Sequence, residues 1–249
     1  MEKAGSIPKI IHYCWFGRGA KPPKIAACMK SWPKILKDYT IMEWNEETFD
    51  LASVRYAKEA YDKGMYAFVS DYVRLHALYK HGGIYLDTDV EMLKPLDLFL
   101  HHEAFCGFED DRHVSTGLMA ARPGHPWIKE LLELYAPREF VKPDGTLDLL
   151  TNTKLITGNV LTHGFAPNGR YQELDNGVTF YPRTYFSPYD YINGGNYITA
   201  DSYAIHHFAK SWLPASVRRR SEIKRQIARL LGPGTIARMR RLLKGTAPD

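Results

Sequence analysis

The chain has 249 residues, of which 45% are hydrophobic and 24% are charged, and its formal net charge is +5. This composition is typical of a folded domain with a sizeable core, and the length allows one large domain or two small ones. No apolar run approaches the roughly 20 residues of a membrane-spanning helix, so the sequence predicts none.

The three cysteines, Cys14, Cys28 and Cys106, are an odd number and lie in apolar surroundings. They predict buried free thiols in a reducing compartment and argue against a disulfide framework. The opening residues MEKAGSIPK lack the apolar segment of a signal peptide. We therefore expect a cytoplasmic location.

The first predicted element is a strand over residues 7–16, which is rich in β-favouring side chains. Gly17 and Gly19 follow at once, and a glycine-bearing loop after a first strand is a common place for a nucleotide. Trp15 lies at the end of this strand. Its flat ring suits stacking on a nucleobase, and a tryptophan buried in the core is the alternative.

The next elements alternate between helix and strand. A helix over residues 24–36 is predicted to bend or end near Trp32, because Pro33 lies inside it. A second strand over residues 39–44 and a helix over residues 52–63 follow. This order predicts an α/β sheet with parallel neighbours, and the ligands of such sheets lie at the carboxyl ends of the strands.

The segment Ser70–Glu91 predicts the end of a helix, a tight turn and a short strand that leads into two carboxylates. Apolar side chains at three- and four-residue spacing over residues 65–79 mark one buried face of that helix. Gly82 and Gly83 end it, because glycine adopts the positive φ that a helix exit needs.

The apolar strand, residues 84–86, runs directly into Asp87-Thr88-Asp89. Because alternate residues of an extended chain share a face, Tyr85, Asp87 and Asp89 are predicted to point the same way. Two carboxylates on one face repel each other, and a divalent cation removes that cost. Oxygen ligands of this kind suit Mg²⁺ or Mn²⁺, which also bind diphosphates. The pattern predicts a metal site that holds the diphosphate of a nucleotide-sugar.

This block resembles the DXD-containing sugar transferases grouped as glycosyltransferase family 32, which include capsular polysaccharide enzymes and fungal Golgi mannosyltransferases. The opening IPKIIHYCWFG and the late AIHHFAKSW are similar to family segments, so the resemblance covers residues 6–214. The residues of the block that carry it are Ser70, Asp71, Arg74, Gly82, Gly83, Tyr85, Leu86, Asp87 and Asp89.

The resemblance implies a GT-A-type single α/β domain over residues 1–214, with a Rossmann-like mixed sheet flanked by helices. It implies a metal-dependent glycosyltransferase that moves a sugar from a UDP- or GDP-linked donor to a glycan acceptor, with retention of the anomeric configuration. Mn²⁺ is favoured over Mg²⁺ as the cofactor. Trp15 would stack on the base of the donor.

Within this site, Asp71, Arg74, Asp87 and Asp89 are the expected catalytic residues. Asp87 and Asp89 are expected to bind the metal, and Asp87 also contacts the donor. Asp71 and Arg74 are three residues apart and project from one side of the helix. We expect Asp71 to accept hydrogen bonds from sugar hydroxyls and Arg74 to hold phosphate as a bidentate fork. Tyr85 is expected to touch the diphosphate or the ribose.

A last strand is predicted over residues 203–208, and it carries His206 and His207. A histidine at a strand end is more often structural, but relatives of this fold supply a third metal ligand from a late segment that ends in tryptophan. We therefore expect one of the two histidines to complete the metal site, and we favour His207. The expected donor contacts beyond this strand are Lys210, Ser211 and Trp212.

A second acidic group, residues 109–111, follows a strand over residues 104–108 and is the alternative metal site. A solvated loop is the favoured interpretation, because no apolar strand presents two of these carboxylates on one face. By the resemblance, residues 114–117 correspond to part of the acceptor pocket. Gly158, in a helix over residues 152–162, either allows close approach to substrate or is an ordinary turn.

Residues 215–249 hold ten Lys/Arg and two Asp/Glu, a local charge of +8, so the rest of the chain carries −3. Two basic amphipathic helices are predicted in this tail, and they indicate binding to an anionic membrane surface. A solvated appendage or a partner-docking arm is the alternative. Because the body is acidic and has no nucleic-acid motif, we expect no nucleic-acid partner.

These features together place the cleft at the inner face of the cytoplasmic membrane. The expected acceptor is then a lipid-linked glycan of the capsule, lipopolysaccharide or exopolysaccharide type. Two other functions stay open. A metal-dependent phosphohydrolase or nucleotidyltransferase also uses paired carboxylates, and a non-catalytic carbohydrate-binding protein would bind sugar without metal.

Overall fold

The computed structural model describes residues 6–190, residues 195–209 and Thr235. The strands of this part of the chain are β1 Ile10–Cys14, β2 Thr40–Trp44, β3 Gly83–Leu86, β4 Val90–Met92, β5 Ala104–Phe108, β6 Val114–Ala121, β7 Gln172–Glu173, β8 Val178–Tyr181 and β9 Ala204–His206. The helices are α1 Pro23–Met29, α2 Trp32–Ile35, α3 Arg55–Asp62, α4 Tyr66–His81, α5 Pro126–Glu133, α6 Asn152–Leu161 and α7 Arg183–Phe186. Single 3₁₀ turns lie at Leu51–Ser53 and Asp97–Phe99.

Seven of the described strands form one sheet in the order β2–β1–β3–β6–β5–β8–β7. β1 pairs in parallel with β2 and β3, whereas β6 pairs antiparallel with β3 and β5. Parallel neighbours need crossover connections. The first is made by α1 and α2, which are separate helices because the chain breaks just before Pro33, as predicted, and the second by α3 and α4. The mixed α/β class expected of a GT-A-type domain is confirmed.

Apolar side chains cover both faces of this sheet. In β3, Ile84 and Leu86 belong to the core on one face and Tyr85 belongs to the core on the other, as the alternation of an extended strand requires. All four residues of β3 are buried. The end of β3 is therefore packed on both faces of the sheet. This packing fixes the position of residues 87–89, which follow it.

The helix that precedes β3 ends in the glycine turn that the sequence predicts. Helix α4 has 16 residues, and Gly82 and Gly83 after it have φ values of 62° and 100°. A Cβ on Gly83 would lie 2.6 Å from the carbonyl oxygen of Ile10. Gly83 therefore supplies both the left-handed conformation and the close approach of β3 to β1.

The two aspartates of the DXD segment come together in a way that the sequence did not predict. Strand β3 ends at Leu86, and the amide of Val90 donates a hydrogen bond to the carbonyl oxygen of Asp87 at 2.9 Å. Residues 87–89 therefore form a tight turn, and the expectation of an extended strand end was wrong. The turn, and not strand alternation, sets the direction of the two carboxylates.

The late histidine segment reaches the same place through a separate small sheet. Strand β9 pairs antiparallel with β4 in a two-stranded sheet, with His206 opposite Val90. The predicted last strand exists, but it lies outside the main sheet. Its pairing with the strand that leaves the DXD turn brings residues more than 100 positions apart into contact.

Two further expectations concern cysteines and membrane helices. Cys14, Cys28 and Cys106 are buried and unpaired, which confirms the predicted free thiols. Within residues 6–190 and 195–209, none of the helices combines the length and the apolar character that crossing a bilayer requires.

Candidate metal and donor site

A cleft of about 670 Å³ opens at the carboxyl ends of β1 and β3. The predicted site residues that line it are Trp15, Asp71, Arg74, Tyr85, Asp87, Asp89 and His206. Lys210, Ser211 and Trp212 lie outside the described residues. The structure thus brings together a strand end, a helix and a late strand that are far apart in the sequence.

Asp87, Asp89 and His206 form a compact group in this cleft. One possible ligand atom from each lies within 4.8 Å of the others, and among the described residues this is the one group of three or more acidic, histidine or cysteine side chains that meets this limit. His206 Nε2 lies 3.3 Å from Asp89 Oδ1 and 3.9 Å from Asp87 Oδ2. Two carboxylates and an imidazole suit Mn²⁺, and Mg²⁺ less well because it prefers oxygen. The residues present therefore fit a divalent cation.

The histidine in this group is His206, whereas the sequence analysis favoured His207. His206 is the last residue of β9 and His207 follows it directly, and because neighbouring residues of an extended chain point to opposite sides, only one of the two faces the aspartates. His207 Nε2 instead lies 2.8 Å from Glu91 Oε2, outside the cleft lining. The His206 ring stacks on Phe208 at a centroid distance of 3.9 Å, which fixes its plane.

Gly117 leaves room for the His206 ring because glycine has no side chain. A Cβ on Gly117 would lie 2.7 Å from His206 Nδ1 and 2.8 Å from Cε1. The carbonyl of Gly117 also accepts a hydrogen bond from the amide of Asp87 at 2.8 Å. The sequence analysis mentioned Gly117 only as part of a segment near the acceptor, and nothing in the local sequence signals this contact because His206 is 89 positions away.

Arg74 is the centre of a buried polar network beneath the metal group. It is 4% exposed, and its guanidinium lies 2.9 Å from Asp71 and 3.3 Å from Asp87. It also donates hydrogen bonds to the backbone carbonyls of Thr116 and Ser70 at 2.5 and 3.3 Å. Most of its donors are used within the protein, so the expected bidentate fork to a phosphate is not the arrangement found.

Tyr85 also lies deeper than the sequence suggested. Its side chain is 1% exposed, its ring packs 4.5 Å from the Arg74 guanidinium, and its hydroxyl donates a hydrogen bond to Asp87 Oδ1 at 3.1 Å. Arg74 and Tyr85 thus hold Asp87 from below. The expectation that Tyr85 reaches the ribose or the diphosphate gives way to a role in positioning Asp87.

The corner of the cleft formed by Asp71, Arg74, Asp87, Asp89 and His206 contains groups with strongly shifted pKa values. Burial and neighbouring charges cause these shifts. Burial lowers the pKa of His206, but the charges of Asp89, Asp87 and Glu109 outweigh it and raise the pKa to about 9. Burial raises the pKa of Asp89, but His206 and the amide of Ala209 reverse this and bring the pKa to about 2. In the absence of a cation, His206 and Asp89 therefore form a buried ion pair, and a cation held by both would compete with the proton on His206.

Asp71 is the second unusual acid of the corner. Burial raises its pKa to about 6, with Arg74 opposing and Asp87 reinforcing the shift. Its Oδ1 accepts a hydrogen bond from Arg74, and the charge of Arg74 and the backbone amide of Asn152 stabilise its ionised form. Asp71 also lines the cleft.

Trp15 stands at the other end of the cleft and is half-buried. Its indole N–H donates a hydrogen bond to the carbonyl of Gly19 at 2.7 Å, and Lys21 Nζ lies 5.3 Å from its ring centroid. A second depression, of about 390 Å³, adjoins it and is lined by Lys21, Glu43 and Glu46 among others. The alternative of a fully buried core tryptophan does not hold for Trp15.

The acidic segment after β5 is only partly the solvated loop that was expected. Asp111 is exposed, but Glu109 and Asp110 are half-buried and line the cleft. Burial, followed by the neighbouring Asp110, raises the pKa of Glu109.

Gly158 is exposed in α6 and has open space beside it, so the helix does not use it for a close approach.

Comparison with family models finds a match in the N-terminal half of this chain. Residues 22–106 match the family model described as a glycosyltransferase sugar-binding region containing a DXD motif. This range includes Asp71, Arg74, Asp87 and Asp89. This match confirms, over residues 22–106, the resemblance predicted from the sequence.

Two curated relatives have glycosyltransferase names. Inositol phosphoceramide mannosyltransferase 3 of Schizosaccharomyces pombe is 32% identical over 135 residues, which are 53% of this chain and 38% of that protein. The uncharacterized glycosyltransferase L373 of Acanthamoeba polyphaga mimivirus is 27% identical over 220 residues, which are 84% of either chain. The chain thus spans little more than a third of the yeast relative's length and most of the viral one.

Among solved structures, one similar chain is a glycosyltransferase involved in the glycosylation of the major capsid of PBCV-1. It has a TM-score of 0.48 and 12% sequence identity, and the match covers 86% of this chain and 100% of that chain.

Proposed function

We propose that this protein is a metal-dependent glycosyltransferase that moves a sugar from a nucleotide-sugar to a glycan acceptor. The observation that carries the proposal is the grouping of Asp87, Asp89 and His206 in a cleft that also contains Trp15. The DXD family match over residues 22–106 supports the same activity. Residues 1–214 would form the catalytic domain.

Asp87, Asp89 and His206 would hold Mn²⁺, or Mg²⁺ as the second choice. The bound cation would supply Lewis-acid stabilisation of the charge on the departing nucleoside diphosphate. Arg74 and Tyr85 act as positioning residues, because they fix the carboxylate of Asp87 before any substrate arrives. Preorganised charges of this kind need no reorganisation during the reaction.

Asp71 and Trp15 would bind the two ends of the donor. The carboxylate of Asp71 lines the cleft and is suited to accept a hydrogen bond from a hydroxyl of the transferred sugar, while Arg74 holds its Oδ1. The half-buried ring of Trp15 is suited to stack on the nucleobase, a contact that tolerates either uracil or guanine. Lys210, Ser211 and Trp212 would add contacts to the diphosphate.

The acceptor is proposed to be a lipid-linked glycan, and the transfer is proposed to retain the anomeric configuration, as the family resemblance implies. The yeast relative is named for mannosyl transfer to inositol phosphoceramide, which supports a lipid-linked acceptor. The charge of +8 over residues 215–249 supports attachment to an anionic membrane surface at the inner face of the cytoplasmic membrane. Removal of residues 215–249 should abolish cosedimentation with anionic vesicles, and unchanged cosedimentation would exclude this role.

The test of the activity is incubation of the protein and Mn²⁺ with a panel of UDP- and GDP-linked sugars. We expect one donor to yield nucleoside diphosphate and transferred or free sugar. The double variant D87A/D89A should lower this rate about a thousandfold, because it removes several kcal/mol of charge stabilisation. The control D62A removes an exposed acid that pairs with Lys58 on the surface and should leave the rate unchanged.

The products also separate the other two functions. A phosphohydrolase or nucleotidyltransferase would yield nucleoside monophosphate or sugar phosphate in place of nucleoside diphosphate. A carbohydrate-binding protein would bind the donor without metal and release nothing. A full rate in D87A/D89A would disprove the metal assignment.

A further inference from the structure

The cleft has a polar wall that the proposed donor and metal contacts do not use. It is formed by Glu109, Asp110 and His113, which follow β5, and by Thr153 and Lys154 in the first turn of α6. Thr153 Oγ1 lies 3.4 Å from Glu109 Oε2 and joins the two segments. The charge of His206 influences the pKa of Glu109, so this wall lies within electrostatic reach of the metal group.

Asp110 is held rigidly within this wall. Its Oδ1 accepts hydrogen bonds from the backbone amides of Arg112 and His113 at 2.8 and 2.9 Å. Burial raises the pKa of Asp110, but these amides and the His113 side chain outweigh burial and lower it. Asp110 is therefore an ionised carboxylate at a fixed position.

The carboxylate of Asp110 in turn fixes His113. The Nδ1 atom of His113 lies 2.9 and 3.0 Å from the two oxygens of Asp110. A nitrogen that faces both oxygens of a carboxylate carries the proton, so Nε2 of the neutral ring holds the lone pair. No hydrogen-bond partner of Nε2 is recorded among the described residues, and the His113 side chain is 41% exposed.

We propose that His113 Nε2 accepts a hydrogen bond from the attacking hydroxyl of a polyhydroxylated acceptor, and that Asp110 sets the tautomer and direction of the ring for this contact. The proposal rests on the proposed glycosyltransferase function. The donor would then extend from Asp71 and Asp87 to Trp15 at the other end of the cleft, and the acceptor hydroxyl would lie against the wall that carries His113. Correct orientation of the attacking group is worth a large rate factor in such transfers.

The test uses the full-length protein, Mn²⁺ and the panel of UDP- and GDP-linked sugars, with water alone or octyl glycosides as the acceptor. The variant H113F keeps a planar ring without an acceptor atom. It should lower kcat for release of nucleoside diphosphate about 10- to 100-fold and change the KM for the donor by less than about twofold. H113Q, whose amide can place an oxygen near the position of Nε2, should recover part of kcat.

The matched control is H163F, because His163 also pairs with a carboxylate, Glu130, but lies outside the cleft lining. H163F should keep kcat within twofold. If H113F does not fold, D110N takes its place, since its amide oxygen can still accept the backbone amides while the charge that orients His113 is lost. An intermediate loss of kcat is then expected.

Three results would overturn the inference. An unchanged kcat in H113F, or in D110N where that variant is used, shows that His113 does not meet the acceptor. A raised donor KM with unchanged kcat assigns His113 to the donor. In both cases the protein still consumes a nucleotide-sugar, so the proposed function stands. If the unaltered protein consumes none of the panel, the proposed function fails, and the inference fails with it.

Discussion

The two ends of the cleft hold their polar groups in different ways. In the corner around Arg74, every charged side chain is largely buried and touches another charge, and the network extends through Asp71, Asp87, Asp89 and His206. At the Trp15 end, the groups are half-exposed, as in the ion pair between Lys21 and Glu43, whose side chains are 29% and 33% exposed. Substitutions in the corner should therefore change both the activity and the stability of the protein. Substitutions at the Trp15 end should change ligand binding with little effect on stability.

The largest expected effect comes from removing the centre of the corner. Arg74→Met keeps the length of the side chain but leaves Asp71 and Asp87 without their cation. Breaking a buried ion pair in this way costs about 3–5 kcal/mol of unfolding free energy, and Asp87 would lose its fixed position. We expect a large fall in denaturant midpoint together with loss of nucleotide-sugar turnover.

The control for Arg74 is Arg55, which lies on the surface and contacts Glu59 and Glu139. Arg55→Met should change the unfolding free energy by no more than about 1 kcal/mol, because exposed ion pairs contribute little. If R74M is as stable as R55M, the corner is not the coupled unit described above.

The second effect is the pH dependence of metal binding at the corner. The pKa of His206 is raised to about 9, so its contribution to folding is present below its unfolded value and is lost as pH rises through 9. A cation competes with that proton. The apparent affinity for Mn²⁺ should therefore rise about tenfold per pH unit between pH 7 and pH 9. Calorimetric titrations at three pH values check this, and a flat profile would contradict the buried ion pair.

The third effect concerns the space that His206 occupies. Gly117→Ala adds a Cβ that would lie 2.7 Å from His206 Nδ1, and the ring must move. Displacing a metal ligand through its neighbour typically costs 10- to 100-fold in metal affinity. We expect Mn²⁺ binding to weaken by about that factor.

Gly158→Ala is the matched control, because Gly158 is exposed in α6 with open space beside it. It should leave Mn²⁺ affinity unchanged and raise stability by up to about 1 kcal/mol through helix propensity. Equal metal affinities in G117A and G158A would show that His206 does not need its present position.

The parts of this molecule that the sequence predicts correctly are those set by local patterns. The helix–glycine–strand segment around Gly82 and Gly83 follows from side-chain spacing and from the conformational freedom of glycine. The choice between His206 and His207 depends on which side of β9 faces the DXD turn, and β9 is placed by its pairing with β4. No local pattern contains that register, so the sequence analysis favoured His207, whereas His206 is the histidine that lies beside Asp87 and Asp89.

The same limit explains why Arg74 and Tyr85 were assigned to the substrate. Their types and spacing are those of ligand-binding residues, but their burial depends on how α4 and β3 pack together, which composition does not reveal. The DXD turn is a further case, since the reversal after Leu86 is fixed by the hydrogen bond from Val90 to Asp87. What the sequence predicted well was which residues meet, and what it missed was how deeply Arg74 and Tyr85 are buried and which histidine lies beside the two aspartates.

The smallest expected effect is that of substituting Trp15 at the other end of the cleft. Trp15→Ala removes the surface on which a base would stack, and base–aromatic stacking contributes about 1–3 kcal/mol. We expect the Kd for the nucleoside diphosphate with Mn²⁺ to rise about tenfold, while Trp15→Phe retains most of the affinity. Because Trp15 is only half-buried, the melting temperature should change far less than in R74M. A loss of stability as large as that of R74M would mean that Trp15 is a core residue and that the two ends of the cleft do not differ as described.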